Sequence, residues 1–454
     1  MEGARRYGAK TISRREFLRR AGTAGLGIGA AGALVPLSIS CGGPQGGGGE
    51  GPAPKGTKIS GGLTLVYLGT AEQQEAWKAL FELFREEYPD VHLNANGIPA
   101  DNWSAFFDTV STQIAGGKVP DVVQVATEGQ RLFASRGLAL PIDEYIERDR
   151  DYIQEYYDDI HPGLVEWNKK YSSLDGNTYY LPGEFNTMCV WYNTQLVQEA
   201  GVDEPTDNWT WDDFLFAAQE ITTPGEVFGM HVPPEYFTGI MPWLLTNGAS
   251  TLNDKWTEST VDTTQSVEAF DFMRSLVEEQ ISPSPGGTFD PYSATAQGKL
   301  AMFGGGRWPV INMRDLDFVE EMKIVAWPQE EEKGSPVGWN GYPIMKESQN
   351  PEAAWAFVKF IASKRASEYF AKQGGTIVPP RRSVAMSEAF LSNAPEGSEK
   401  LYEALDYATP IPSPNEGSVI EQEIIDTTTQ ILTGNVDAKV ALGQLDKTIQ
   451  SELE

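Results

Sequence analysis

The side chains able to do covalent or metal chemistry in this sequence are few and scattered. Thiols occur only at Cys41 and Cys189, and imidazoles only at His92, His161 and His231. The histidines are far apart and lack HExxH spacing, so no zinc-hydrolase ligand set can be drawn from them. No GxxxxGK[ST] loop occurs. Gly304-Gly305-Gly306 precede Arg307-Trp308 rather than a helix-opening lysine, which argues against a nucleotide site. With 64 Asp and Glu, two carboxylates at glycosidase spacing somewhere are nearly inevitable and would prove little. No catalytic residue, metal or cofactor is therefore assigned. Cys189 lies in the apolar run "MCVWY" and reads as an inert buried thiol.

Cys41 has a different setting. Ser13-Arg14-Arg15-Glu16-Phe17-Leu18-Arg19 matches a twin-arginine (Tat) export signal. No charge follows Arg20 until Glu50, but five glycines and Pro36 make a permanent spanning helix unfavourable, since glycine costs up to ~1 and proline about 3 kcal/mol per position. Leu37-Ser38-Ile39-Ser40-Cys41 resembles a bacterial lipobox, although Ile39 stands where a small residue is usual. Residues 1–40 then read as a signal peptide and Cys41 as the lipidated N-terminus. An uncleaved N-terminal anchor is the other reading, and either one leaves the body outside the membrane. Residues 42–62 hold ten glycines and three prolines, so 41–61 form a flexible tether reaching roughly 25 Å on average.

Charge narrows the partners. Residues 1–40 carry a net +5, so the total of −29 leaves −34 for the rest. Such a chain repels nucleic acid and has no evident affinity for anionic lipid, so its membrane contact is the lipid anchor alone.

The elements that must position any site begin with "GLTLVYLG", an apolar run suited to a buried parallel strand. Thr70 and Gln73 form a capping box, and Trp77, Leu80, Phe81, Phe84 and Tyr88 share one helical face. "VHLNANGI", a helix from Trp103, "VVQVA", a helix to Arg136 and "LALPI" continue the alternation, which predicts α/β with a mainly parallel sheet. A second domain starts near Asp143. Its strands are predicted in "TYYLPGEFNTMCVWYN", "KLAMFGGGRW" and "KIVAWP", and its helices in "NWTWDDFLFAAQEIT" and "STVDTTQSVEAFDFMRSLVEEQ". Asn350-Pro351-Glu352 reads as a helix start, and a helix near 418–432 is followed by a shorter one from Asp437. Trp77, Trp191 and Trp355 lie on apolar faces and read as core; Arg381 and Arg382 read as surface residues.

These segments in this order resemble the extracellular solute-binding family of bacterial ABC sugar importers, which includes maltose-binding proteins. The resemblance covers about residues 62–450 and rests on five stretches. They are "WKALFELFREEYPDVHL", "GGKVPDVVQVATEGQRLFASRGLALPID", the run from Tyr179 to Thr222, "GKLAMFGGGRW" and "NPEAAWAFVKFIASKRASEYFAKQGGTIVPPRRS". It implies a two-lobed periplasmic-binding-protein-like α/β fold (type II) with hinge crossings and a ligand cleft between the lobes. Lobe one would hold 62–142 and 329–365, and lobe two 143–328 and 366–454. The implied role is capture of a sugar and delivery to the transmembrane subunits of an ABC permease, by a monomer without catalysis.

A sugar presents an apolar C–H face and a hydroxyl rim, which an aromatic plate edged by carboxylates and amides complements. The chain's twelve tryptophans and seventeen tyrosines provide such plates. By the resemblance, Trp308 after the glycine turn, Tyr236 in "PPEYFTGIMPW", and Trp339 and Asn340 in "GWNGY" face the ligand. So do Glu128 after "VVQVA", Glu184 and Asn186 in "LPGEFN", and Arg307. Trp103 would cap the cleft mouth; Thr70 and Gln73 bond hydroxyls or only cap their helix. The same fold could instead take a polyol, glycerol phosphate or polyamine, and a secreted glycoside hydrolase is the enzymatic alternative.

Overall fold

The computed structural model describes residues 56–69, 71–100, 102–373, 377–392 and 394–454. The export signal, Cys41, the tether as far as Lys55, Thr70 and the side chain of Gln73 fall outside the described part.

The apolar run that opens the body forms β1 (Gly61–Leu68), with Leu63, Leu65, Val66 and Tyr67 buried. Burial on both faces is what a parallel sheet requires of its central strand. β1 pairs in parallel with β2 (Val91–Ile98) along its whole length, and with β3 (Val122–Val123) on its other side. α1 (Ala71–Glu87) lays Trp77, Leu80, Phe81 and Phe84 on this sheet. α2 (Trp103–Ala115) begins at Asn102, whose Oδ1 accepts from the Ala105 amide at 2.9 Å, and buries Phe106, Phe107 and Val110. After Gln124 come β4 (Val125–Ala126) and α3 (Thr127–Ser135). The "LALPI" strand is reduced to one bridge, Ala139 to Met345. Leu140 donates to the Ile344 carbonyl but Ile142 to Thr178, so no single neighbour supports a ladder.

The second body is built on a mixed sheet in the order β7-β8-β6-β9. β6 (Cys189–Asn193) is buried throughout and runs antiparallel to both β8 (Leu300–Gly305) and β9 (Met322–Val325); β7 (Phe228–His231) lies parallel to β8. The mainly parallel expectation holds in the β2-β1-β3 sheet of the first body, whereas this sheet is mixed. Trp191 and Cys189 are fully buried, and burial pushes the thiol pKa far up, so its reactive thiolate is suppressed. α4 (Pro162–Tyr171), α5 (Pro309–Asp315), α7 (Gly417–Leu432) and α8 (Ala438–Leu453) pack around this body. The last helix is as long as α7, not shorter.

α6 (Pro351–Ala362) returns to the first body and buries Trp355. Asn350 precedes it, but its side chain does not cap; its Nδ2 donates to the Gly62 carbonyl at 2.9 Å, tying the helix to β1. Packing also shifts the expected boundary near Asp143: Tyr145, Ile153, Tyr156 and Ile160 share a core with Leu63 and Leu65 of β1. Arg381 is buried, not superficial. Its guanidinium forms a bidentate pair with Glu155, reaches Asp159 at 3.1 Å and lies over the Tyr156 ring.

Between the bodies runs a small sheet centred on β10 (Ser335–Gly341). β10 is antiparallel to β4 of the first body and to β5 (Phe185–Thr187), and parallel to β11 (Ala408–Pro410). The "GWNGY" stretch is thus largely a central strand.

Candidate functional site

The linking sheet floors a cavity of about 190 Å³. Ala126 of β4, Phe185 and Asn186 of β5, and Gly338, Trp339 and Asn340 of β10 form the floor. The first body supplies Trp103 from the start of α2 and Glu128 from the first turn of α3. The second supplies Phe237 and Trp308, and Glu184 and Ile377 complete the lining. A larger recess of about 660 Å³ opens beside residues 245–265 and 407–412, but it contains none of the predicted residues. Its tryptophan, Trp256, offers no free plate, being held between Tyr171 at 4.3 Å and the Arg131 guanidinium at 4.5 Å. The smaller cavity is therefore the better candidate.

Each wall has a local cause. Trp308 sits between the glycine turn and the proline that starts α5. A Cβ on Gly306 would lie 2.4 Å from the Trp308 ring and 2.6 Å from Asn186 Oδ1, so only glycine lets both side chains converge there. Asn186 Oδ1 accepts from the Arg307 amide at 2.9 Å, fixing the turn to β5. Phe237 belongs to a π-helical turn, Tyr236–Ile240, and its ring lies 6.4 Å from that of Trp308. On the opposite wall Trp103 stacks on Phe107 at 5.8 Å. Trp103, Phe237 and Trp308 are all half-buried, so part of each ring is accessible.

The polar groups differ in freedom. Glu184 is only 4 % exposed, and burial raises its pKa. The Tyr342 hydroxyl, Asn340 Nδ2 at 3.0 Å and Gln124 Nε2 at 3.3 Å all donate to its Oε1. Asn340 also donates its amide to the Glu184 carbonyl and accepts from Gly183, so it is held from both sides. Glu128 is half-buried, and desolvation holds its carboxyl up at about 6 against a bond from its own amide. Glu421 on α7 is raised further, to about 7, by burial first and then by the charge of Glu128.

Seven predicted residues thus meet at one cavity: Trp103, Glu128, Glu184, Asn186, Trp308, Trp339 and Asn340. Trp339 has no free ring face, however. It is buried, stacked on Trp167, and donates its Nε1 to Asn168. Two predictions fail geometrically. Tyr236 points into the second core, its hydroxyl bonded to Thr251 Oγ1, because the π turn directs its neighbour Phe237 to the cavity instead. Arg307 is fully buried, its guanidinium 4.5 Å above Phe390 and 3.5 Å from Ser398, away from the ligand space. Ala126, Phe185, Phe237, Gly338 and Ile377 were missed; the adjacent aromatics of "EYFTG" were the available signal for Phe237. Among the described residues no cluster of three or more His, Cys, Asp or Glu is arranged to hold a metal.

Comparison with known proteins agrees with this architecture. The chain is 23% identical over 329 residues to an arabinooligosaccharide-binding protein of Halalkalibacterium halodurans, covering 69% of this chain and 70% of that one. An ABC substrate-binding protein of Listeria monocytogenes, solved in complex with cycloalternan, superposes with TM-score 0.76 at 23% identity, over 86% of this chain and 98% of that one. An ABC transporter solute-binding protein of Thermotoga lettingae bound to α-D-tagatose gives TM-score 0.75 at 22% identity, over 87% and 100%. These likenesses carry the two-lobed fold. The family model of the bacterial extracellular solute-binding proteins matches residues 69–368, and the chain belongs to that family.

Proposed function

We propose that this chain captures a carbohydrate in the cavity on the linking sheet and delivers it, chemically unaltered, to an ABC permease. The observation that carries the reading is the convergence of three half-buried rings, Trp103, Phe237 and Trp308, over a floor edged by Asn186, Asn340 and Glu184. Rings match the C–H face of a sugar and the amides and carboxylates its hydroxyls. The saccharides named for the similar proteins above support the same class. Walls from both bodies mean that a ligand touching both favours the state in which they approach. In this reading lobe one is 62–142 and 329–365, extended on packing grounds by 143–160. The protein acts as a monomer, exported by the twin-arginine signal and tethered through lipidated Cys41 outside the cell. No helix among the described residues is long and apolar enough to cross a membrane.

A thermal-shift screen over mono- and oligosaccharides tests the proposal, because a ligand at 100 Kd stabilises the folded state by about 2.7 kcal/mol. Saturable stabilisation without new reducing ends is expected, and Trp308→Ala abolishes it while the unliganded melting temperature moves by only a few degrees. Turnover of the saccharide, or full affinity in Trp308→Ala, refutes the reading.

A further inference from the structure

We infer that the cavity selects a carbohydrate-like ligand bearing a protonated amine, the ammonium lying against Glu128 and Glu184 within the ring of Trp103, Phe237 and Trp308. The inference rests on the carbohydrate-capture reading and narrows its substrate class.

Four observations lead there. First, the lining holds two carboxylates and no lysine, arginine or histidine. Second, the three side-chain donors on Glu184, a residue only 4 % exposed that borders the cavity, all use Oε1 and none carries a charge. Third, neither Glu128 nor Glu421 enters an ion pair among the described residues, although each sits where desolvation disfavours its charge. Fourth, Arg307, the one cation the glycine turn could have delivered, is turned away onto Phe390.

A neutral hydroxyl can donate to a carboxylate, but it leaves the charge uncompensated. Partly buried carboxylates without a counter-ion are costly, and an ammonium would remove that cost. The surrounding rings add to its binding, since a desolvated cation over an aromatic face gains more than an exposed one. Glu421 contributes field rather than contact: the charge of Glu128 acts on it, so the two carboxyls are close enough for Glu421, once ionised, to add negative potential at that wall.

The test uses matched saccharide pairs on the full chain in its native state: glucosamine with glucose, and fully deacetylated chitobiose with N,N′-diacetylchitobiose and cellobiose. Affinities are read by calorimetry near pH 7.5. The free-amine member of a pair is expected to bind about tenfold tighter or better, one such step being about 1.4 kcal/mol. Glu128→Gln should erase that preference, with circular dichroism and the unliganded melting curve as folding controls. Glu421→Gln should reduce it by a smaller factor. Neutral or N-acetylated members binding as tightly as the amines overturn the inference while leaving carbohydrate capture intact. So does an amine preference that survives Glu128→Gln. If no member of any pair binds, the carbohydrate reading itself falls.

Discussion

Glu421→Gln should make the protein more stable at alkaline pH and leave it unchanged in acid. Glu421 lies on α7 and is half-buried; the charged group that acts on it is the carboxylate of Glu128. Its carboxyl holds the proton until about pH 7, against 4.5 in an unfolded chain. A folded-state pKa above the unfolded one means that the native state binds more protons. Stability is then fully present below about pH 4.5 and is lost as pH rises towards 7. At 1.36 kcal/mol per pH unit, the ionised side chain costs the fold about 3 kcal/mol by pH 8. Glutamine cannot ionise, so the substitution recovers that amount, the repulsion from Glu128 included. Urea unfolding followed by tryptophan fluorescence at pH 4.5, 6 and 8 measures it. The two proteins should coincide at pH 4.5 and diverge steadily above it, with a near-constant m-value. A stability difference that is flat across this range, or that favours the wild type at pH 8, would show that the two carboxylates do not share a desolvated space.

Three further outcomes follow from the packing. Gly306→Ala forces a methyl to within 2.4 Å of the Trp308 ring, so saccharide affinity should drop at least tenfold while the circular dichroism spectrum is kept; retained affinity would mean Trp308 is not held by that turn. Arg381→Ala leaves Asp159 with its Ser383 bonds but no counter-charge and opens a space beneath Tyr156, and denaturant unfolding should register about 3 kcal/mol, the low end for a broken buried pair because Glu155 keeps its water. Cys189 is fully buried and its thiolate disfavoured, so a thiol reagent should label the native protein only at the rate of unfolding, and rapid labelling in buffer would contradict its position in β6.

How much of this could be read from the residues depends on which force acted locally. β2 and the helices from Thr210 and Thr263 follow their apolar period and capping residues, and appear where those signals put them. β10 does not advertise itself. Pro336, Gly338, Asn340 and Gly341 are all poor strand formers, yet long-range pairing with three other strands overrides them. Gly341 is small for a reason invisible in sequence, since a Cβ there would lie 2.7 Å from the Tyr180 ring. The same limit explains Tyr236 and Phe237: a π turn adds one residue to the local period, and one residue decides which ring meets the cavity. Arg381 was assigned to the surface because charge is seldom buried, and Arg307 to the ligand by the resemblance; only their distant partners, Glu155 and Phe390, show otherwise. The aromatic-and-carboxylate character of the site was legible, whereas the gathering of three side-chain donors on one oxygen of Glu184 was not.

The strand that floors the cavity is also the one that joins the two halves, and this has a mechanical consequence. Any swing of one half about the other turns on β10 and its neighbours, so an occupant sits near the fulcrum, where displacements are smallest. Outer rims far along the lever arm travel much further for the same angle. A shift of a few tenths of an ångström beneath the occupant can therefore be broadcast as a change in outline large enough for another molecule to feel. By the same geometry, stiffening the fulcrum and altering the grip are one operation.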